Sequence, residues 1–311
     1  MIPGERWDVA PAEVERLEAE WWQKYSWLED EYAWVQPSYI RRVLRKGYLS
    51  HIVDQLPSEG TLIDFGCGPG WLSIMLAQLG AKHVIGVDNA PAQLEIANSK
   101  ANAAGLSDKI AFYDRISPET WRSADAVVIH GVLHHLSGNE IDGLLGQLWQ
   151  NMKPGSKIFI LEPVLGEKRY MLWSIPLKIV EIVTKIRRQS RKEKEIRKLL
   201  ASRGDGPRFP GYGVAPKETP FRVGELERRL SSRFEVTPAK PVLFGSVKFG
   251  TELALLAETS PALAKLSVHL ALEPYLAWEK VSFSFAPKHL WNGWVFCLFE
   301  ATPKLNPTTL H

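Results

Sequence analysis

Cysteine is scarce in this chain, long apolar runs are missing and net charge is close to zero. Each lack removes a class of protein. Two cysteines in 311 residues, Cys67 and Cys297, make neither a disulfide framework nor a cysteine-rich zinc site. The 38 basic and 35 acidic side chains leave +3, so bulk charge gives no argument for nucleic acid. The opening stretch, MIPGERWDVAPAEVERLEAE, is acidic and has no apolar h-region, so no signal peptide is expected. MLWSIPLKIVEIVTKI, from Met171, is the longest apolar-leaning stretch, but Lys178 and Glu181 lie inside it. It is too short and too charged to span a bilayer. These readings predict a cytoplasmic protein. There is no internal repeat and no low-complexity tract.

What is present suits a sizeable core: hydrophobic residues make up 45% and charged ones 23%, as in an ordinary globular protein. The length favours one α/β domain with added segments. Residues 1–56 read as an N-terminal helical segment, with Leu17, Trp21, Trp22 and Tyr25 at helical spacing and Pro37 between two helices. From Thr61 the rhythm changes. TLIDF, HVIGVD, KIAFYD, ADAVVIHGVL and SKIFILEP read as strands. Between them lie the helices WLSIMLAQLG, APAQLEIANSKANAAG (capped by Asn89) and NEIDGLLGQLWQNM, the last followed by a turn at Lys153-Pro154-Gly155. Strands separated by helices of this length imply right-handed crossovers and a parallel sheet. Residues 57–163 are therefore expected to be a doubly wound α/β core. Residues 164–220 read as a helical and loop cap insertion. Residues 221–302 return to the core with a helical insertion at about 246–280; there PFRVGELERRLSSR reads as a helix, and RFEVTP and NGWVFCLFEATP as strands. Residues 303–311 form a tail.

The most informative stretch is TLIDFGCGPGW, with Gly66, Gly68 and Gly70 at every second position. A glycine turn between strand and helix lets a ligand approach the backbone and meet the helix N-terminal N–H groups. No Gly-Lys-Ser/Thr follows, so this is not a triphosphate loop, and the spacing is not that of the dinucleotide fingerprint. Asp64, two residues before the first glycine, would repel a pyrophosphate and attract an ammonium or sulfonium. Asp88 follows at the end of the second strand, ~20 residues on, the distance at which an acid takes ribose hydroxyls and disfavours a 2′-phosphate. S-adenosylmethionine has an unphosphorylated ribose, an ammonium and a sulfonium.

In order, DFGCGPG, GVD, VVIHGVLHHL and MKPGSKIFILEP resemble a class I S-adenosylmethionine-dependent methyltransferase. The resemblance spans about residues 43–163 well, and the last helix and strand loosely. It implies a seven-stranded, mostly parallel sheet with an antiparallel last strand, for which NGWVFCLFEATP is the candidate. It implies that Asp64, Gly66, Cys67, Gly68 and Gly70 line the methionine end of the cofactor. Asp88 would hold the ribose with Asn89 beside the adenine, Asp114 would reach the adenine amino group, and His130 would lie under the cofactor. Many members have glycine before the third acid, where this chain has Tyr113.

Methyl transfer from a sulfonium needs alignment and dry surroundings, and a base only if the acceptor must lose a proton. His134 and His135 are the candidate bases, with Glu162 at the end of the fifth strand as a third catalytic candidate or, alternatively, a cap or surface ion pair. His130, His134 and His135 at i, i+4 and i+5 are also a conceivable metal set, but the metalloprotease glutamate is missing, and no metal is expected. The Asp/Asn-Pro-Pro-aromatic motif of amino-methylating nucleic-acid enzymes is missing, and neither cysteine is placed as the nucleophile that pyrimidine C5 methylation needs.

Specificity should lie in the additions. Trp34, Tyr39, Tyr170, Trp173 and Tyr212 are the candidate pocket residues, aromatics suited to an apolar or sugar-like acceptor. The basic run at 185–203 is a solvated helix face, a contact for an anionic substrate or lipid surface, or an RNA footprint. The expected activity is methyl transfer to a small or medium-sized organic acceptor, including glycan- or lipid-like ones. Hydroxyl oxygen is favoured; RNA modification and a catalytically silent cofactor-binding module are the rivals.

Overall fold

The computed structural model describes residues 48–165, 221–243 and 294–305, with isolated positions among 16–23 and 270–281. Strand and helix alternate through the first of these stretches. The strands are β1 (Thr61–Phe65), β2 (His83–Val87), β3 (Ile110–Tyr113), β4 (Ala126–His130) and β5 (Lys157–Leu165). The helices are α1 (Ser50–Val53), α2 (Trp71–Leu79), α3 (Pro91–Ala103), α4 (Pro118–Ser123) and α5 (Gly138–Asn151). β6 (Phe221–Arg222), α6 (Val223–Ser231), β7 (Phe234–Val236), β8 (Lys240–Leu243) and β9 (Trp294–Pro303) complete the described elements.

All but two short strands lie on one path, in the order β3-β2-β1-β4-β5-β9-β7. β1 to β5 pair in parallel, and β9 runs antiparallel to both β5 and β7. The antiparallel strand expected at NGWVFCLFEATP is thus observed, inserted between β5 and β7. Among the described residues the sheet has nine strands rather than seven, because β6 extends the edge of β5 and β8 adds to β9. Phe221 and Arg222 belong to β6 and not to the helix read over PFRVGELERRLSSR, which begins at Val223.

Two-residue alternation sends the strand side chains to opposite faces. Val127, Ile129, Ile158 and Ile160 face one core with Ile141, Leu144, Leu145 and Leu148 of α5. Val128, Phe159 and Leu161 face the other with Leu72, Met75 and Leu76 of α2. Both faces are covered, as a parallel sheet requires. The strands' carboxyl ends and the loops after them form one edge, where ligands bind in such sheets.

Local signals explain the helix boundaries. α2 ends at Gly80 in the left-handed conformation. α5 begins with a capping box, Ser137 accepting from the Glu140 backbone while the Glu140 side chain accepts from the Ser137 N–H. Asn89 is not the cap of α3. That position is Ala90, and its N–H donates to Asp88 Oδ1 at 2.9 Å.

Candidate active site

The turn after β1 is built by three glycines with φ of +74, +50 and +75°, a region that side chains rarely enter. Each has a different reason. A Cβ on Gly66 would stand 2.3 Å from Val132 Cγ2, and one on Gly70 2.7 Å from the Ala97 Cβ of α3, so both are sites of close packing. A Cβ on Gly68 would meet nothing within 4 Å, so the loop is open there. Gly66 and Cys67 donate their N–H groups to Val87 O at 2.7 and 3.0 Å, tying the turn to β2. The Cys67 thiol is buried and its pKa is raised, first by burial; it is part of the wall.

Asp64 is buried and its Oδ2 accepts from Ser73 Oγ on α2 at 2.6 Å. Burial raises its pKa to about 7, against the lowering effect of the Ser73 bond and with a further rise from Asp88. Asp88 clamps the turn: Oδ2 accepts from Gly68 N at 2.9 Å and Oδ1 from Ala90 N. Its pKa is raised by burial, against both backbone bonds. Asn89 is exposed beside it. Asp114 is exposed after β3, with Arg115 Nη2 at 3.3 Å.

His130 ends β4. Its ring stands edge-on between Trp71, at 5.2 Å, and Tyr48, at 5.8 Å. Burial lowers its pKa to about 4, with Glu162 opposing and His134 adding to the drop, so the ring is neutral near pH 7. Gly131, at φ +66°, turns the chain into a 3₁₀ turn at Leu133–His135.

That turn is held by Glu162, which is fully buried on β5. Its Oε1 accepts from Val132 N at 2.8 Å and Leu133 N at 2.7 Å, and its Oε2 lies 2.7 Å from His134 Nδ1. Glu162 is therefore not a surface ion pair; it fixes the turn and orients His134. A carboxylate only accepts, so at this contact the His134 Nδ1–H donates to Glu162. The His135 ring lies 4.0 Å from that of His134. His135 Nδ1 is 3.0 Å from Glu18 Oε1, and its ring meets Trp22 edge-on at 5.1 Å. Part of the N-terminal segment thus reaches the site.

The structure brings together Asp64, the three glycines, Cys67, Asp88, His130, His134, His135 and Glu162 at the carboxyl edge. Asn89 and Asp114 lie at its exposed margin. The pocket candidates Trp34, Tyr39, Tyr170, Trp173 and Tyr212, and the basic run at 185–203, lie outside the described residues. Sequence reading missed Ser73, Tyr48 and Glu18. Ser73 had one available signal, a lone hydroxyl in the apolar first turn after the glycine loop. Among the described residues no helix is long and apolar enough to cross a membrane.

This fold and loop define a class, and comparison with known proteins agrees. Residues 62–155 match the methyltransferase domain family. The chain carries a class I S-adenosylmethionine-dependent methyltransferase domain. It is similar to ribosomal protein L11 methyltransferase of Photobacterium profundum, 37% identical over 100 residues, which cover 32% of each chain. The counterpart from Tolumonas auensis is 41% identical over 91 residues, 28% of this chain and 31% of that one. The matched segments thus span about a third of those relatives' length. Among solved structures, geranyl diphosphate C-methyltransferase from Streptomyces coelicolor A3(2), in complex with Mg2+, geranyl diphosphate and S-adenosyl-L-homocysteine, aligns over 83% of this chain and 77% of its own. The TM-score is 0.48 and the identity 13%.

Proposed function

We propose that the protein transfers a methyl group from S-adenosylmethionine to a small or medium-sized organic acceptor, with a hydroxyl oxygen as the favoured target. The observation that carries the choice of oxygen is the buried His134–Glu162 pair, 2.7 Å apart, beside the glycine loop. An amine can react through its own lone pair, whereas a hydroxyl gains from losing its proton as the new bond forms. An oriented imidazole is suited to that task.

The residues present fit the cofactor. The opening at Gly68 lets a ligand approach the backbone. Each Asp88 oxygen accepts one backbone bond and retains capacity for a ribose hydroxyl. Asp64 supplies a carboxylate that a cation would draw into its charged form. When bound, S-adenosylmethionine supplies an activated methyl group on a sulfonium. Glu162 holds His134 in one tautomer, and His134 Nε2 takes the acceptor's proton. Neutral His130, stacked edge-on with Trp71 and Tyr48, puts an uncharged ring at the floor of the site. The segment shared with the ribosomal protein L11 methyltransferases is about a third of their length, so a ribosomal-protein acceptor is an outcome to test.

The test is transfer of labelled methyl from S-adenosylmethionine into fractionated small-molecule, lipid, protein and RNA pools, with native protein and His134→Ala. Label in a small-molecule or lipid pool, strongly reduced in the variant while S-adenosylhomocysteine still binds, supports the reading. Label confined to protein or RNA, or full activity in the variant, overturns it.

A further inference from the structure

Tyr48 has no part in the proton path above, yet it occupies a central place. Its side chain is fully buried, and its ring packs edge-on against His130, with Trp71 on that histidine as well. His130 ends β4 and Trp71 opens the helix after the glycine loop, so Tyr48 forms part of the site's floor. Tyr48 and Leu49 adopt a π-helical turn leading into α1, a local geometry frequent at functional positions.

Among the described residues the Tyr48 hydroxyl has no hydrogen-bond partner, although no part of the residue is exposed. Buried hydroxyls in native proteins are nearly always paired. Neither nearby carboxylate pairs with it: Glu162 accepts from Val132, Leu133 and His134, and Asp64 from Ser73. Both still act on Tyr48 through space, and with burial as the larger cause they push its pKa well above the usual value. The phenol stays neutral in acceptor-rich surroundings, and the group that best completes such a place is a cationic N–H donor.

We infer that the Tyr48 hydroxyl oxygen accepts a hydrogen bond from the α-ammonium of S-adenosylmethionine, so that Tyr48 is a binding residue for the methionine end of the methyl donor. This rests on the methyltransferase reading. The ligand's other cation, the sulfonium, offers only weak C–H donors, whereas the ammonium offers three N–H groups.

The test is calorimetric titration of native protein and Tyr48→Phe with three ligands: S-adenosylmethionine, S-adenosylhomocysteine, which keeps the ammonium but not the sulfonium charge, and desamino-S-adenosylhomocysteine. Loss of a hydrogen bond to a charged group should weaken the first two alike, roughly 10- to 100-fold. The desamino ligand should change by less than about twofold. The ligand-free variant should melt no lower than native protein, since no internal hydrogen bond is lost. Unchanged affinity for S-adenosylhomocysteine, a loss confined to S-adenosylmethionine, or an equal loss for the desamino ligand would each overturn the assignment. A variant that fails to fold would also overturn it, by showing that the hydroxyl has an internal partner. If native protein binds none of the three ligands, the methyltransferase reading fails by itself, whatever Tyr48 does.

Discussion

Asp64 and Asp88 place the same chemical group in two settings. Asp64 faces α2 with one hydroxyl partner, and burial lifts its pKa from 3.8 to about 7. Its folded-state pKa therefore lies above its unfolded value. Between those values the folded state binds the extra proton, so the free protein loses stability as pH rises from about 4 to about 7, and the slope then levels. Asp88, also raised, adds in the same direction. Asp64→Asn should flatten the melting temperature's dependence on pH over that window; an unchanged slope would contradict the assignment. A cation prefers the ionised carboxylate, so affinity for S-adenosylmethionine should rise with pH through about 7. Asp88 differs because it holds the turn itself. Asp88→Ala should weaken S-adenosylhomocysteine binding by about 1.5–3 kcal/mol, the scale for charge-assisted hydrogen bonds, and calorimetry on folded variant checks it.

At the scale of elements, the glycine turn and the 3₁₀ turn at Leu133–His135 are locked together, with Val132 packed where a Gly66 side chain would stand. Gly66→Ala should therefore cost mainly stability, from overlap as well as left-handed strain. Gly68→Ala meets open space and should cost only about 1–2 kcal/mol of backbone strain, while weakening the cofactor far more than that loss of stability suggests. Denaturant unfolding paired with calorimetry separates the two. Glu162→Ala would leave two backbone N–H groups without their acceptor, at about 1–3 kcal/mol each, and should lower the unfolding midpoint accordingly. Glu162→Gln keeps an oxygen for those N–H groups and sets an amide against His134 Nδ1. It should retain the fold, lower kcat and shift its pH profile; an unaltered profile would remove His134 from the proton path.

Over the whole molecule, what was legible followed from repeated pattern. β1 to β5, β9 as a strand and the α2 stop at Gly80 were read from apolar runs and glycine punctuation, whereas the antiparallel direction of β9 came from the family resemblance. The three glycines, Asp64 and Asp88 were found because loop chemistry leaves a fixed spacing. β6 and β8 were not, being two and four residues long, with no alternation to read and Pro241 inside β8. α4 was missed because six residues carry too little period. The Asn89 cap failed because Asp88, a residue earlier, already accepts from Ala90 N. Tyr48 and Glu18 reach the site through tertiary packing, which local pattern does not report. Glu18 and Trp22 against His135 place part of the N-terminal segment on the 3₁₀ turn, next to the base proposed for the acceptor. Trp22→Ala should therefore raise the acceptor KM and leave the Kd for S-adenosylhomocysteine unchanged, a split that steady-state kinetics and calorimetry resolve.

On this reading the turn after β1, closed by Asp88, holds an adenosyl ligand with an unphosphorylated ribose and a cationic tail. Calorimetric titration of the native chain with S-adenosylhomocysteine, alongside NAD and ATP, tests it most directly. One-to-one binding of S-adenosylhomocysteine and no measurable binding of the two phosphate-bearing nucleotides are expected. No heat from S-adenosylhomocysteine, or equal affinity for NAD, would contradict it.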